Sequence, residues 1–179
     1  MAVVVPRFLL LGGSLLGFTG CNLINDSVMG GSSSGTFAIT ATGLLWKSHL
    51  IPENGGFASV RCPLSMQSRA VLQGASGVEE TSAFVFETSG GRGATFEFRA
   101  HTIKAGEIAY FSTFQTPIAN DAKQVHTIRV CDMIPRWRGR IVNAPPLVAR
   151  DVDEVGFMIT KAGGQRGDHS LHIHWVGTT

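Results

Sequence analysis

From residue 36 onward the chain alternates apolar and polar positions in short runs, and turn residues separate the runs. The clearest run is residues 94–103, where Phe96 and Phe98 point one way and Glu97 and Arg99 the other. Successive side chains of a strand face opposite sides of a sheet, so this run predicts a half-buried strand. Residues 83–87 repeat the pattern with Phe84 and Phe86, and residues 154–161 align Val155, Phe157 and Ile159. Residues 170–176 align Leu171, Ile173 and Trp175 and leave His172 and His174 opposite. Residues 36–41, 44–51, 57–64, 107–116 and 124–131 are β-rich as well. The turn-forming residues 52–56 sit between two of these runs, so 44–64 reads as a hairpin. Residues 67–80 show no clean period and read as a helical turn or a loop. Eight or nine strands without a dividing linker or an internal repeat predict one all-β domain over residues 25–179, a two-sheet β-sandwich.

Composition narrows the function. Only 16% of the 179 residues are charged, against about 25% in ordinary soluble domains. A lightly charged surface suits a protein that works against partners or a membrane. A net charge of +2 is too small for bulk nucleic-acid binding. The three cysteines, Cys21, Cys62 and Cys131, match no zinc or redox spacing. Their odd number predicts free thiols in a reducing compartment.

Residues 1–24 are apolar apart from Arg7 and a few small polar residues. Three readings stay open: a signal-peptide core, a short membrane anchor, or a lead-in strand of the domain. Phe18-Thr19-Gly20-Cys21 also resembles a bacterial lipoprotein cleavage site.

Candidate chemistry is sparse. His172 and His174 have metal-ligand spacing, with Asp168 and His169 nearby in sequence, but two outward histidines on an amphipathic strand is the plainer reading. No phosphate-binding loop occurs. Glu79, Glu80 and the Asp151-Val152-Asp153-Glu154 cluster read as solvated turn residues. The sequence therefore nominates no catalytic residue, cofactor or metal. Its best surface is Arg136, Trp137, Arg138 and Arg140, because three arginines on an extended segment would share one face and grip carboxylates or phosphates. Arg61 joins them as a candidate partner contact, or as a mate for Asp26.

Four collinear segments carry a family resemblance. They are Asn25-Asp26-Ser27-Val28-Met29-Gly30-Gly31-Ser32-Ser33, Gly55-Gly56-Phe57-Ala58-Ser59-Val60-Arg61, Pro135-Arg136-Trp137-Arg138-Gly139-Arg140 and Val155-Gly156-Phe157-Met158-Ile159. Together they resemble the complex I intermediate-associated protein 30 family. Cys21 and Asn22 stand where members of that family usually carry a tryptophan. The resemblance implies a galactose-binding-domain-like jelly roll. It also implies a non-enzymatic assembly factor or scaffold, with subunits or intermediates of a membrane electron-transport complex as partners. Respiratory complex I, reached from the mitochondrial matrix side, comes first; plastid and bacterial settings, a resident accessory subunit and contact with anionic lipid are the variants. Asn25, Asp26, Met29, Gly30, Gly31, Gly55, Gly56 and Phe57 are expected to shape the fold rather than to bind. A carbohydrate-binding module is the other reading, with Trp137 the one exposed aromatic platform expected, since Trp46 and Trp175 fall within strand patterns.

Overall fold

The computed structural model describes residues 14–16, 20–72, 81–102, 108–164 and 166–179. Two antiparallel sheets face each other across an aromatic core. The smaller is ordered β3 (Ser34–Thr40), β4 (Gly43–Leu50), β13 (Gly167–Thr178), β6 (Ala83–Gly90) and β9 (Gln124–Arg129). The short β1 (Ser14–Leu16) also pairs with β13, beyond the end of β4. The larger runs β11 (Arg140–Ile141), β10 (Ile134–Trp137), β8 (Ala109–Gln115), β7 (Thr95–His101), β12 (Glu154–Thr160), β5 (Phe57–Pro63) and β2 (Asn22–Asn25). This is the all-β jelly-roll sandwich that the alternation and the resemblance predict.

Particular expectations change. Residues 44–64 do not form a hairpin: β4 pairs with β3 and β13, whereas β5 pairs with β2 and β12 in the opposite sheet. The turn between them crosses the sandwich, which places inward faces of both strands on one core. The segment after β5 contains the helix α1 (Met66–Leu72). In β13 the register shifts between Ile173 and Trp175. That bulge turns Val176, not Trp175, into the core beside Leu171 and Ile173.

Phenylalanines join the layers. Phe86 stacks on Phe98 at 5.1 Å and meets Phe157 edge-on at 5.4 Å. His126 lies buried against Phe114, with centroids 4.6 Å apart, and its Nε2 is 2.9 Å from the Thr88 hydroxyl. Burial pulls its pKa down to about 4, so the ring is neutral at physiological pH.

The cysteines also differ from expectation. Cys21 and Cys62 form a disulfide that ties the lead-in of β2 to β5, and only Cys131 is a free thiol.

The first two family-like segments meet at one carboxylate. Asp26 is fully buried at the start of a 3-10 turn, Asp26–Met29. Its Oδ1 accepts the Ser33 N–H at 2.7 Å. Its Oδ2 accepts the Ser33 hydroxyl at 2.7 Å, the Gly56 N–H at 2.8 Å and the Phe57 N–H at 3.3 Å. Burial pushes the pKa of this group up, but the four donors outweigh it and hold the pKa below the usual carboxylate value. The glycines beside it make room: a Cβ on Gly31 would lie 2.3 Å from Asp26 Cγ, and one on Gly55 2.8 Å from Asp26 Cβ. Asn25 accepts the Ser59 N–H at 3.4 Å, while Met29 is exposed. Asp26 does not pair with Arg61, whose carboxylate partner is Glu154.

Candidate functional site

The outer face of the large sheet carries charged side chains where a solvent-facing sheet would leave them exposed. Strand alternation explains how they gather. In β7, Phe96, Phe98 and Ala100 enter the core, so Glu97, Arg99 and His101 face outward. Across the sheet one row runs Ile134, Phe111, Arg99, Gly156, Arg61. The row beside it runs Ile141, Arg136, Ala109, His101, Glu154. Arg61, Arg136 and Gly156 come from three of the four family-like segments and lie on this one face.

The cluster is close and recessed. Arg136 donates to Glu97 Oε1 at 2.7 Å and lays its guanidinium 3.7 Å from the Phe111 ring centroid. Arg99 lies 3.9 Å from Glu97, and Arg61 lies 3.8 Å from Glu154. The Glu97 and Arg99 side chains are only 8% and 9% exposed, and those of Arg61 and Arg136 21% and 19%. Gly156 permits this packing. A Cβ there would meet the Val60 carbonyl oxygen at 2.8 Å and Arg61 Cγ at 3.2 Å.

Burial sets the charges. It lowers the pKa of Arg99 to about 10, against the pull of Glu97, and Arg99 stays charged at neutral pH. Burial, reinforced by the Arg61 and Arg99 charges, takes His101 to about 3, so its ring is neutral. Burial raises Glu154 while Arg61 opposes the rise. Five of the six buried side-chain polar atoms without a hydrogen bond, among the described residues, belong to this face: Nε of Arg61, Arg99 and Arg136, Oε2 of Glu97 and Nε2 of His101.

The expected patch divides. Arg138 and Gly139 both have positive φ, at 45° and 81°, and turn the chain from β10 into β11. Arg136, Arg138 and Arg140 therefore do not share a face. Arg136 turns onto the sheet face and joins Arg61 there. Trp137 and Arg140 sit opposite each other in the hairpin, and Arg138 stacks on Trp137 at 4.8 Å. The face adds Glu97, Arg99, His101 and Phe111, which the sequence reading did not nominate. The signal was present in Glu97-x-Arg99-x-His101, three ionisable residues on the second side of a central strand.

Other candidates resolve differently. The β13 bulge brings the His172 and His174 rings to 4.0 Å, where Thr42 and Ser89 are their hydroxyl neighbours. Among the described residues no group of three or more metal-ligating side chains forms. Asp168 pairs with His49 at 2.6 Å and Asp153 with Arg69 at 3.0 Å. Glu79 and Glu80 lie outside the described residues. One end of the sandwich holds an open groove of about 1290 Å³ lined by Lys47, Arg92, Lys161 and Arg166, with no Trp, Tyr or Phe in its described lining. Trp46 is buried and Trp137 is 40% exposed. No helix among the described residues is long and apolar enough to cross a membrane.

The sequence profile of the complex I intermediate-associated protein 30 family matches residues 14–173. No curated protein matches the chain in sequence. In three dimensions it is similar to the family 11 carbohydrate-binding module from Clostridium thermocellum in complex with a β-1,3-1,4-mixed-linked tetrasaccharide. That likeness has a TM-score of 0.58 at 11% identity and covers 93% of this chain and 95% of the module. It is also similar to part of PfGH50B, with a TM-score of 0.55 at 8% identity, over 93% of this chain and 23% of that protein. At such identities the likeness concerns the fold alone.

Proposed function

This chain belongs to the complex I intermediate-associated protein 30 family, and we propose on that ground that it is a non-enzymatic scaffold for assembly of a membrane electron-transport complex. Respiratory complex I is the first candidate. The family match across most of the chain is the observation that carries this reading. The site agrees with it: the face of the large sheet offers guanidinium groups and exposed apolar side chains, a mixture suited to a protein surface. Arg61 and Arg136 are the proposed partner contacts within it, with Trp137, Arg138 and Arg140 on the neighbouring hairpin. A resident accessory subunit is the variant reading.

The sugar-binding reading has weaker support. Neither the basic groove nor the arginine face presents an open row of aromatic rings, on which saccharide rings would stack. The Cys21–Cys62 disulfide bears on location. Disulfides persist in oxidising compartments, so it favours a bacterial periplasm, a thylakoid lumen or an intermembrane space over the mitochondrial matrix.

Native-gel fractionation of gently solubilised membranes, with mass spectrometry following this chain, tests the proposal. Co-migration with partial complexes and absence from the mature complex is the expected result. Co-migration with a mature complex would instead identify a resident subunit. Migration only as a free 19.1 kDa species would overturn both and direct attention to a glycan-binding screen.

A further inference from the structure

We propose that the Arg61–Arg99–Arg136 face is a receptor for one carboxylate, presented by an acidic side chain of a protein partner. The carboxylate site stands on the geometry of the face; the protein source rests on the scaffold reading above.

Charge is the first argument. Three guanidinium groups confront two carboxylates, Glu97 and Glu154, and His101 is neutral. Each guanidinium lies within 4.0 Å of one of these carboxylates, but among the described residues the face keeps one net positive charge. A single carboxylate balances it, whereas a phosphate dianion overshoots. A neutral sugar leaves it uncompensated.

Unused hydrogen-bonding capacity is the second. Arg99 Nε is a buried, unbonded donor on a side chain more than nine-tenths buried. Arg61 Nε and Arg136 Nε are also buried and unbonded, on side chains that are 21% and 19% exposed. Buried polar groups in native proteins are almost always satisfied. A guanidinium presents its N–H groups as a planar fork that fits the two oxygens of a carboxylate. Glu97 is hydrogen-bonded to Arg136 at 2.7 Å, whereas the carboxylates beside Arg99 and Arg61 stand off at 3.9 and 3.8 Å and Arg99 Nη1 donates to Met158 Sδ at 3.2 Å, so the incoming group belongs on the free Nε edges of Arg61 and Arg99. These two lie on either side of Gly156, in a row where no intervening side chain separates them.

The flank gives the third argument and selects the source. Ile134 and Ile141 are 43% and 68% exposed and lie on the same face as Arg136, at the sheet edge. An acidic residue with an apolar neighbour would cover both the charge and this edge. Lipid headgroups fit less well, because the arginines are recessed in the sheet rather than projecting from it.

The full chain can be titrated with an acetylated, amidated Ile-Glu-Ile peptide, with its Ile-Gln-Ile counterpart, and with inorganic phosphate. Phosphatidylcholine vesicles with and without phosphatidylglycerol complete the set. NMR detection of the arginine Nε–Hε resonances reports the site directly in the unaltered protein, into the millimolar range expected for so small a ligand. The Glu peptide should shift the Arg61 and Arg99 resonances, and the Gln peptide should bind at least about tenfold more weakly. Arg61→Lys keeps the charge and loses the fork, and should weaken binding about tenfold. Arg166→Gln, in the separate groove, should leave binding unchanged. Equal binding of the two peptides, no Nε–Hε shift, or shifts produced by phosphate or anionic vesicles in preference to the Glu peptide would overturn the proposal. Arginine shifts alongside free migration on the native gel would keep the carboxylate site and sink the scaffold reading; the reverse pair of results would do the opposite.

Discussion

Replacing Asp26 by Asn tests whether one buried carboxylate ties the two halves of the family-like motif together. Asp26 receives four hydrogen bonds, three from the backbone N–H groups of Ser33, Gly56 and Phe57 and one from the Ser33 hydroxyl. The amide keeps the shape but has only one acceptor oxygen. If that oxygen faces Gly56 and Phe57, the amide NH2 faces the Ser33 N–H, and a buried donor loses its acceptor. Leaving such a donor unsatisfied costs about 1–3 kcal/mol. The three bonds that survive lose their charge assistance, which is roughly half of their strength. The expected loss is about 3–4 kcal/mol, a large share of the ~5–15 kcal/mol that holds a typical domain together. In a chain of this size that lowers Tm by about 6–16 °C. Urea denaturation with an unchanged slope, read beside thermal unfolding by circular dichroism, measures it. The native pKa is depressed, so the carboxylate's contribution is complete above the unfolded value near 3.9 and is lost as pH falls through the native value. The gap between the two proteins should therefore close under strongly acidic conditions. A loss below about 1 kcal/mol at neutral pH would refute the reasoning.

Other substitutions and conditions probe separate parts of the molecule. Gly31→Ala drives a Cβ to 2.3 Å from Asp26 Cγ and should cost about 1–3 kcal/mol by overpacking, measured by the same denaturation. Reduction of Cys21–Cys62 opens a loop with a sequence separation of 41; chain entropy predicts a loss of about 4 kcal/mol, seen as a lower urea midpoint in reductant. His126 and His101, with native values of about 4 and 3, should remain neutral by NMR at pH 5. Their depressed native values mean that their contribution is intact above the unfolded value of about 6.5. It falls as pH drops from there toward the native values, because the unfolded chain takes up protons first. Gly156→Val should displace Arg61 and weaken the Glu-peptide interaction about tenfold or more.

The strands that alternate cleanly were legible in the sequence because one side of each enters the core. Phe84 and Phe86, Phe96 and Phe98, and Val155, Phe157 and Ile159 all point inward as the period of two requires. The short β2 falls where a lead-in strand is one of three open readings, and β10 and β11 fall in a segment read only as extended, since two to four residues carry no measurable period. The false hairpin at 44–64 shows a second limit. A turn sequence reports that the chain reverses, not whether it returns to the same sheet. The β13 bulge was hidden because an inserted residue changes the side a chain position faces without leaving a composition signal. At the candidate site, Arg61 and Arg136 were nominated on chemistry. Glu97 and Arg99 were assigned to a wet outer side because alternation cannot distinguish an open face from a recessed one. The disulfide was missed for a similar reason, as pairing depends on β2 lying beside β5, a tertiary fact.

The position of β13 carries a consequence for how this domain is made. It follows all the other described strands in chain order, at residues 167–178, yet it lies at the centre of its sheet and joins β4, β6 and β1. Until it leaves the ribosome, β4 and β6 have no common neighbour, and their unpaired edges and the apolar Leu44, Trp46, Phe84 and Phe86 stay uncovered. The sandwich therefore cannot close before β13 has been made, and it does so by long-range pairing that is intrinsically slow. During that interval the nascent chain exposes two strand edges open to aggregation. Truncated forms that stop before residue 167 should accumulate on chaperones rather than as a smaller stable domain.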